Sequence, residues 1–331
     1  MTDMKREKYF FELGELALES GAALRQARLC YQVVGRPNAA RDNIVLIPSY
    51  YGGSHWGSLP LLGAGSPLSG GDYCVVLTNL LGSGWSTSPS NAAEGQRGAD
   101  FPRVSLGDNV EAQRRLLDAL FGDWQLALVC GWSMGGMQAF AWAMRHPEKV
   151  ERILPFCATA RCWPHNRVFL DGVAAALRAD CAWQEGRYEA PPERGLRAFG
   201  RVYAGWAYSQ AFYREALYRQ LGFADVEALL AFWEEDHLEQ DANDLLCVLD
   251  SWQSSQPSEP ALAAIRARTI VMPSSSDLYF TVTDARHETS LIPCAELRVL
   301  ESDWGHCAGG PGREVQAMRQ VFAAMDELLR R

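Results

Sequence analysis

Gly131-Trp132-Ser133-Met134-Gly135 lies between a short apolar run, 126–130, and a stretch of helical spacing, 136–145. Leu126, Leu128 and Val129 suit a strand buried on both faces, while Met137, Phe140, Ala141 and Met144 recur at the helical period. His146-Pro147 ends the helix. The segment reads as strand, sharp turn and helix, with a serine at the apex. Glycines two positions to either side let the backbone fold tightly enough to hold the hydroxyl above the end of a sheet, as in a nucleophile elbow. The pentapeptide alone also occurs in ordinary loops, so its flanks carry the reading.

Outward from the elbow, apolar runs of β character fall at 32–34, 44–47, 74–77, 126–130, 153–156, 269–272 and 297–300. Helical patterns separate several of them. The clearest is 109–120, where Val110, Gln113, Leu116, Leu117 and Leu120 share a face, and 315–329 closes the chain as an amphipathic helix. Alternating strands and helices imply a mostly parallel sheet covered by helices on both faces. From 157 to 268 the alternation stops, and the segment becomes helical, aromatic and punctuated by Pro191-Pro192 and Gln256-Pro257-Ser258-Glu259-Pro260. It reads as a helical lid inserted before the last strands, over the carboxyl edge where this architecture binds ligands. The expected division is a core domain of 1–156 and 269–331 with a lid domain of 157–268. Most of Trp163, Trp183, Trp206, Trp233 and Trp252 are expected to form the lid's own core.

The chain has 331 residues, 48% hydrophobic and 21% charged, enough for one large core. A net charge of -9 without any Lys/Arg-rich block argues against nucleic acid as a partner. The N-terminal Met-Thr-Asp-Met-Lys-Arg-Glu-Lys is followed by no signal-length apolar segment, and no run approaches a membrane span. A cytoplasmic location is expected. Nine cysteines without paired spacing fit reduced thiols in such a compartment, and Cys157 and Cys162 lack the companions of a zinc site. No metal is expected.

A serine hydroxyl is a weak nucleophile at neutral pH and needs a base, with a carboxylate to orient that base. In an elbow fold the chain order is Ser, then Asp or Glu, then His. His306, in the glycine-flanked loop after the last strand, can reach the elbow, whereas His165, His237 and His287 lie on helical or lid-like segments. Asp277 follows the strand Thr269-Ile270-Val271-Met272 at its carboxyl end, 29 residues before His306. Its competitors are weaker: Asp284 sits at a helix start and reads as an N-cap, and Asp303 is too near His306. The oxyanion of an acyl-transfer intermediate needs two fixed N–H donors. Met134, heading the elbow helix, supplies one, and Tyr50 in Pro48-Ser49-Tyr50-Tyr51-Gly52-Gly53 is the expected second. Tyr51, Trp132, Cys307 and Trp206 are the expected substrate contacts.

Gly131-Trp132-Ser133-Met134-Gly135-Gly136-Met137-Gln138-Ala139, with Trp142-Ala143 and His146-Pro147-Glu148-Lys149-Val150, resembles the elbow region of homoserine O-acetyltransferase-like α/β-hydrolases. Asn79-Leu80-Leu81-Gly82, Asp108-Asn109-Val110-Glu111-Ala112-Gln113, Asp241-Ala242-Asn243-Asp244, Ser276-Asp277-Leu278-Tyr279-Phe280 and Gly305-His306 are similar to further stretches of that family. The resemblance implies an α/β-hydrolase fold, Ser133, Asp277 and His306 as the triad, Tyr50 and Met134 as oxyanion donors, and acyl transfer through an acyl-serine. It also suggests a homodimer through the lid, for which Trp206, Tyr208, Phe212 and Tyr213 offer an aromatic segment that burial within the lid explains equally well.

One departure bears on the substrate. In homoserine acetyltransferases an aspartate that holds the substrate ammonium directly follows the histidine, and here that position is Cys307. A buried ammonium deprived of its partner costs on the order of 3 to 5 kcal/mol. Ala308-Gly309-Gly310-Pro311-Gly312 also departs from the family's apolar continuation, so the pocket beside the base is expected to be rebuilt. The favoured function is a carboxylic ester hydrolase in which water deacylates Ser133. The alternative is an O-acyltransferase that moves an acyl group from acyl-CoA to an alcohol other than homoserine. Neither needs a cofactor, since acyl-CoA would be a substrate, and no phosphate-cradling or dinucleotide fingerprint is present. The expected partner is a small ester, thioester or alcohol.

Overall fold

The computed structural model describes residues 5–330. The first four residues of the N-terminal stretch read above, and Arg331, lie outside it. Eight strands form one sheet: β1 (Tyr9–Ala17), β2 (Ala23–Val34), β3 (Ile44–Pro48), β4 (Cys74–Thr78), β5 (Leu126–Trp132), β6 (Arg152–Phe156), β7 (Arg268–Val271) and β8 (Ala295–Leu297). Their spatial order is β1-β2-β4-β3-β5-β6-β7-β8. β1 and β2 pair antiparallel with each other, as does β2 with β4, and every later pairing is parallel.

Doubly covered strands read as unbroken apolar runs, and β3, β4 and β5 are buried along their whole length. Successive side chains of β3 face different cores. Ile44 and Leu46 pack with α1 (Leu106–Phe121) and α2 (Met134–Arg145), whereas Val45 and Ile47 share a cluster with α10 (Val315–Leu329). A reciprocal pair of hydrogen bonds between Ser105 and Asp108 caps α1 and fixes where the elbow's neighbouring helix starts.

Between β6 and β7 the chain is helical: α3 (Pro164–Arg178), α4 (Glu193–Ala207), α5 (Gln210–Arg214), α6 (Val226–Leu238), α7 (Ala242–Gln253) and α8 (Glu259–Ala263). α4 lies over the end of β3, where Tyr203 stacks on Tyr51 with centroids 5.5 Å apart and planes 7° from parallel. The insert is fastened to α9 (Val282–Leu291) by buried Glu288, which accepts the N–H groups of Ala160, Arg161 and the Trp163 ring.

Three sequence expectations change. β1 was not anticipated. The last strand runs Ala295–Leu297 instead of 297–300, because β7 pairs Thr269 with Ala295 and Val271 with Leu297, and Leu300 only bridges Ser274. Asp284 is not an N-cap: Thr281 caps α9 and Asp284 sits three residues later, accepting the Thr281 hydroxyl at 2.7 Å. No helix among the described residues is long and apolar enough to cross a membrane.

Candidate active site

β5 delivers the chain to Ser133 and α2 leaves from it. Ser133 has φ 57° and ψ -128°, a region that non-glycine residues adopt at a cost of about 1–3 kcal/mol. Hydrogen bonds hold it there, from the Ser133 N–H to the Phe156 carbonyl and from the Met137 N–H to the Ser133 carbonyl, both 3.0 Å. Close approach explains the flanking glycines. A Cβ on Gly131 would sit 2.5 Å from the Gly135 carbonyl carbon, and one on Gly135 would sit 2.7 Å from the Pro48 oxygen. The second contact sets the start of α2 against the end of β3, the two places from which the oxyanion donors were expected.

A buried chain of polar groups ties those two elements together. Gln138 Nε2 donates to the Ser49 carbonyl at 3.0 Å and the Met134 carbonyl at 3.1 Å. Gln138 Oε1 accepts from Gln113, and Gln113 Oε1 accepts the Trp142 indole N–H, each at 2.7 Å. The residues carrying Tyr50 and Met134 are thus held on either side of one amide. Met134 begins α2, so its N–H belongs to the first turn, where donors lack intrahelical acceptors.

His306 lies in a short 3-10 turn, Gly305–Gly309, and its Nδ1 is 2.7 Å from Asp277 Oδ2. Asp277 Oδ1 accepts the N–H groups of Tyr279 at 3.1 Å and Phe280 at 3.0 Å. Trp132 stacks on the imidazole at 4.9 Å and its indole N–H binds the His306 carbonyl, while the Tyr279 ring lies 4.5 Å from the imidazole. The ring is therefore fixed in plane by the carboxylate and confined by aromatic neighbours, and its Nε2 makes no hydrogen bond among the described residues.

Ser133, His306, Tyr50, Tyr51, Trp132 and Cys307 line a single cavity of about 220 Å³. The structure thus gathers most of the expected residues. Asp277 and Met134 stand behind the lining, next to His306 and Ser133, and Trp206 is turned away from it: its ring packs against Phe169 at 5.1 Å and His165 at 5.2 Å, and α4 turns Tyr203 and Ala207 to the cavity instead. The sequence reading missed Trp233, Asp236, His237 and Gln240, which line the cavity from α6 and just beyond it, and Arg313. Burial pushes the Cys307 thiol up from its ordinary value, against the pull of Arg313. Tyr208 and Phe212 are buried within the chain itself, which accounts for that part of the aromatic segment. Among the described residues no group of three or more His, Cys, Asp or Glu could hold a metal ion.

A strained serine at a strand-to-helix apex, facing a cavity shared with a histidine that a carboxylate orients, defines a serine-nucleophile enzyme of the α/β type. Residues 42–310 match the sequence profile of the alpha/beta hydrolase fold family, and the chain belongs to that family. It is 34% identical to the ethyl acetate hydrolase of Pseudomonas veronii over 96% of this chain and 94% of that protein. It is 33% identical to the homoserine O-acetyltransferase of Symbiobacterium thermophilum, over 88% of this chain and 87% of that protein. Among solved structures, an acetylester hydrolase from Corynebacterium glutamicum superposes with a TM-score of 0.95 at 32% identity, covering 98% of this chain and 96% of that one.

Proposed function

We propose that this chain is a carboxylic ester hydrolase for short esters, acting through an acyl-Ser133 intermediate. Ser133 Oγ attacks the ester carbonyl while His306 Nε2 takes its proton, and Asp277 steadies the imidazolium that forms. The N–H groups of Tyr50 and Met134 receive the oxyanion. His306 passes the proton to the departing alcohol, then takes one from a water that attacks the acyl-serine, and the acid leaves with Ser133 restored. Every group in this scheme belongs to the protein, so no cofactor enters it. A reducing, cytoplasmic setting belongs to the same proposal and is supported by nine cysteines that form no disulfide.

The observation that carries the reading is the size and surroundings of the cavity. About 220 Å³ is below the roughly 300–1,000 Å³ of pockets for drug-sized ligands and suits an ester of few carbons. A neighbouring cavity of about 480 Å³ shares Gly52, Asp236 and Gln240 with it and adds Glu239 and Asp241, with no Lys or Arg in its lining. Such a surface repels the phosphates of acyl-CoA. Cys307 in the place of an ammonium-binding aspartate points the same way.

The test is to offer the purified protein ethyl acetate and acetyl-CoA, with and without homoserine and simple alcohols, and to follow the acetyl group by mass spectrometry. Free acetate from the ester, formed at a rate the alcohols do not change and absent in Ser133→Ala, is the expected result. An acetylated alcohol formed from acetyl-CoA faster than acetate would replace the hydrolase reading with the acyltransferase one.

A further inference from the structure

The loop Ala308-Gly309-Gly310-Pro311-Gly312 ends in Arg313, the one Lys or Arg side chain among the residues lining the catalytic cavity. The loop is shaped to bring it there. A Cβ on Gly310 would lie 2.6 Å from Arg313 Cδ, so the arginine crosses the chain where a glycine leaves room, and the Arg313 N–H closes a turn onto the Gly310 carbonyl at 3.0 Å. Its guanidinium sits 5.8 Å from the centre of the Trp132 ring, the same ring that stacks on His306.

Five N–H donors are concentrated in that guanidinium; Arg313 is exposed as a residue, so the donors that the protein leaves unused are open to solvent until a substrate acceptor takes them. Nη1 donates to Cys307 Sγ at 3.6 Å, a weak acceptor. Among the described residues no carboxylate oxygen comes within the 4.0 Å of an ion pair, although Asp236 lines the same cavity. Tyr51 and Trp233 also line the cavity, but Tyr51 Oη, which can accept as well as donate, and Trp233 Nε1 are themselves closed off without a hydrogen-bond partner, which leaves Arg313 as the donor open to a ligand. A cavity beside a nucleophile that holds surplus donors is matched by a substrate that brings an oxygen acceptor.

We infer that Arg313 is a specificity-determining residue that receives an oxygen acceptor carried by the substrate beyond its reacting ester group, so that oxygenated short esters are preferred over plain alkyl esters. The inference rests on the esterase reading above. The acceptor is a hydroxyl or carbonyl oxygen or a carboxylate, all of which a guanidinium binds by the same N–H donors.

The experiment compares kcat/KM for propyl acetate, its near-isosteric counterpart 2-hydroxyethyl acetate, and acetoxyacetate, in the native protein, Arg313→Met and Arg313→Lys. A hydrogen bond from a charged donor is worth about 10- to 150-fold in selectivity, so at least one oxygenated ester should lead propyl acetate by about tenfold or more. Arg313→Met should bring the ratio to within about twofold, chiefly through KM, and Arg313→Lys should keep part of it. Preference for the hydroxyl ester or for the carboxylate ester both support the inference and identify the acceptor. No preference in the native protein, or an equal loss on all three esters in Arg313→Met, overturns it and leaves Arg313 a structural contact of Trp132. Should Arg313→Met not fold, Arg313→Lys decides alone, since an unchanged ratio there counts against the inference. Failure to hydrolyse any of the esters would overturn the esterase reading itself, a result distinct from hydrolysis without preference.

Discussion

Asp277 divides its two carboxylate oxygens between two tasks: Oδ2 meets His306 Nδ1 at 2.7 Å, and Oδ1 accepts the backbone N–H groups of Tyr279 and Phe280. The acid is anchored by the chain that follows it and cannot rotate away without breaking two hydrogen bonds. Asp277→Asn therefore has one low-energy orientation, with its oxygen on the backbone donors and its NH₂ toward His306. That NH₂ forces Nδ1 to accept and moves the ring proton to Nε2, where it blocks the base. The expected loss in kcat is about 10⁴-fold with stability little changed, measured by steady-state hydrolysis of 4-nitrophenyl acetate beside thermal unfolding. A loss below about tenfold would show that Asp277 does not set the tautomer.

Ser133→Ala and His306→Ala should each lower kcat by about 10⁶-fold, and the double variant should be scarcely worse, because nucleophile and base act as a unit. An organophosphonate probe should add its mass to the native protein and leave Ser133→Ala unlabelled. Near-native turnover in His306→Ala would remove it from the catalytic assignment.

Gln138 is a positioning residue whose effect should separate from simple destabilisation. Gln138→Leu deprives the Ser49 and Met134 carbonyls of their shared donor and leaves the Gln113 amide without its acceptor. The expected cost in stability is about 1–3 kcal/mol, by urea denaturation. Because the same amide sets the spacing of Tyr50 and Met134, the oxyanion donors of the proposed mechanism, kcat should fall about tenfold or more while KM moves little. Equal changes in kcat for Gln138→Leu and for a Trp142→Phe variant that only shortens the chain of contacts would indicate packing alone.

Glu288 fastens the insert to α9, and burial pushes its carboxyl up to about 7 against the pull of the N–H groups it accepts. Glu288→Ala strands three donors at once. Unfolding free energy should drop by about 3–5 kcal/mol, read by chemical denaturation. A drop below about 1 kcal/mol would mean that the insert is held by its apolar packing and not by this clasp.

The elbow turn and the pairing of Asp277 with His306 were legible because each rests on local chemistry or chain order: paired glycines around Ser133, an acid at a strand's carboxyl end, a histidine in a glycine-flanked loop. β1 was not legible because its buried Leu13 and Leu16 are three apart, the register slipping around Gly14, so no two-residue alternation survives. Trp206 and Tyr203 show the limit for the cavity wall. Both are aromatic and stand one turn apart on α4, and only the packing of α4 on α3 and α6 decides which one faces Ser133. Arg313 was hidden for another reason: the glycine run before it was visible as a departure, but what the glycines made room for depends on how the loop folds back over itself.

His55 gives the chain a defined sensitivity to acid. The ring is fully buried, with Nδ1 2.6 Å from Asn79 Nδ2 and Nε2 2.9 Å from the Glu7 carbonyl. Asn79 Oδ1 already accepts the His55 backbone N–H, so its nitrogen must be the donor to Nδ1, and Nε2 carries the proton given to Glu7. Both hydrogen bonds thus belong to the neutral ring. Burial, the largest influence, pushes the pKa below its ordinary 6.5. The unfolded chain then takes up a proton near 6.5 while the folded chain resists until lower pH, so across that window the unfolded state binds more protons. Stability is unaffected above 6.5, falls as the pH drops from 6.5 through the folded value, and levels off below it. His55→Gln, neutral throughout, should be less stable near neutrality but should lose less on going from about pH 7 to about pH 5. His146 and His237, also lowered by burial, remain in both proteins and cancel from the comparison. Urea denaturation of the two proteins across that range measures the difference in slope, and parallel slopes would mean that His55 takes up its proton without loss of the native fold.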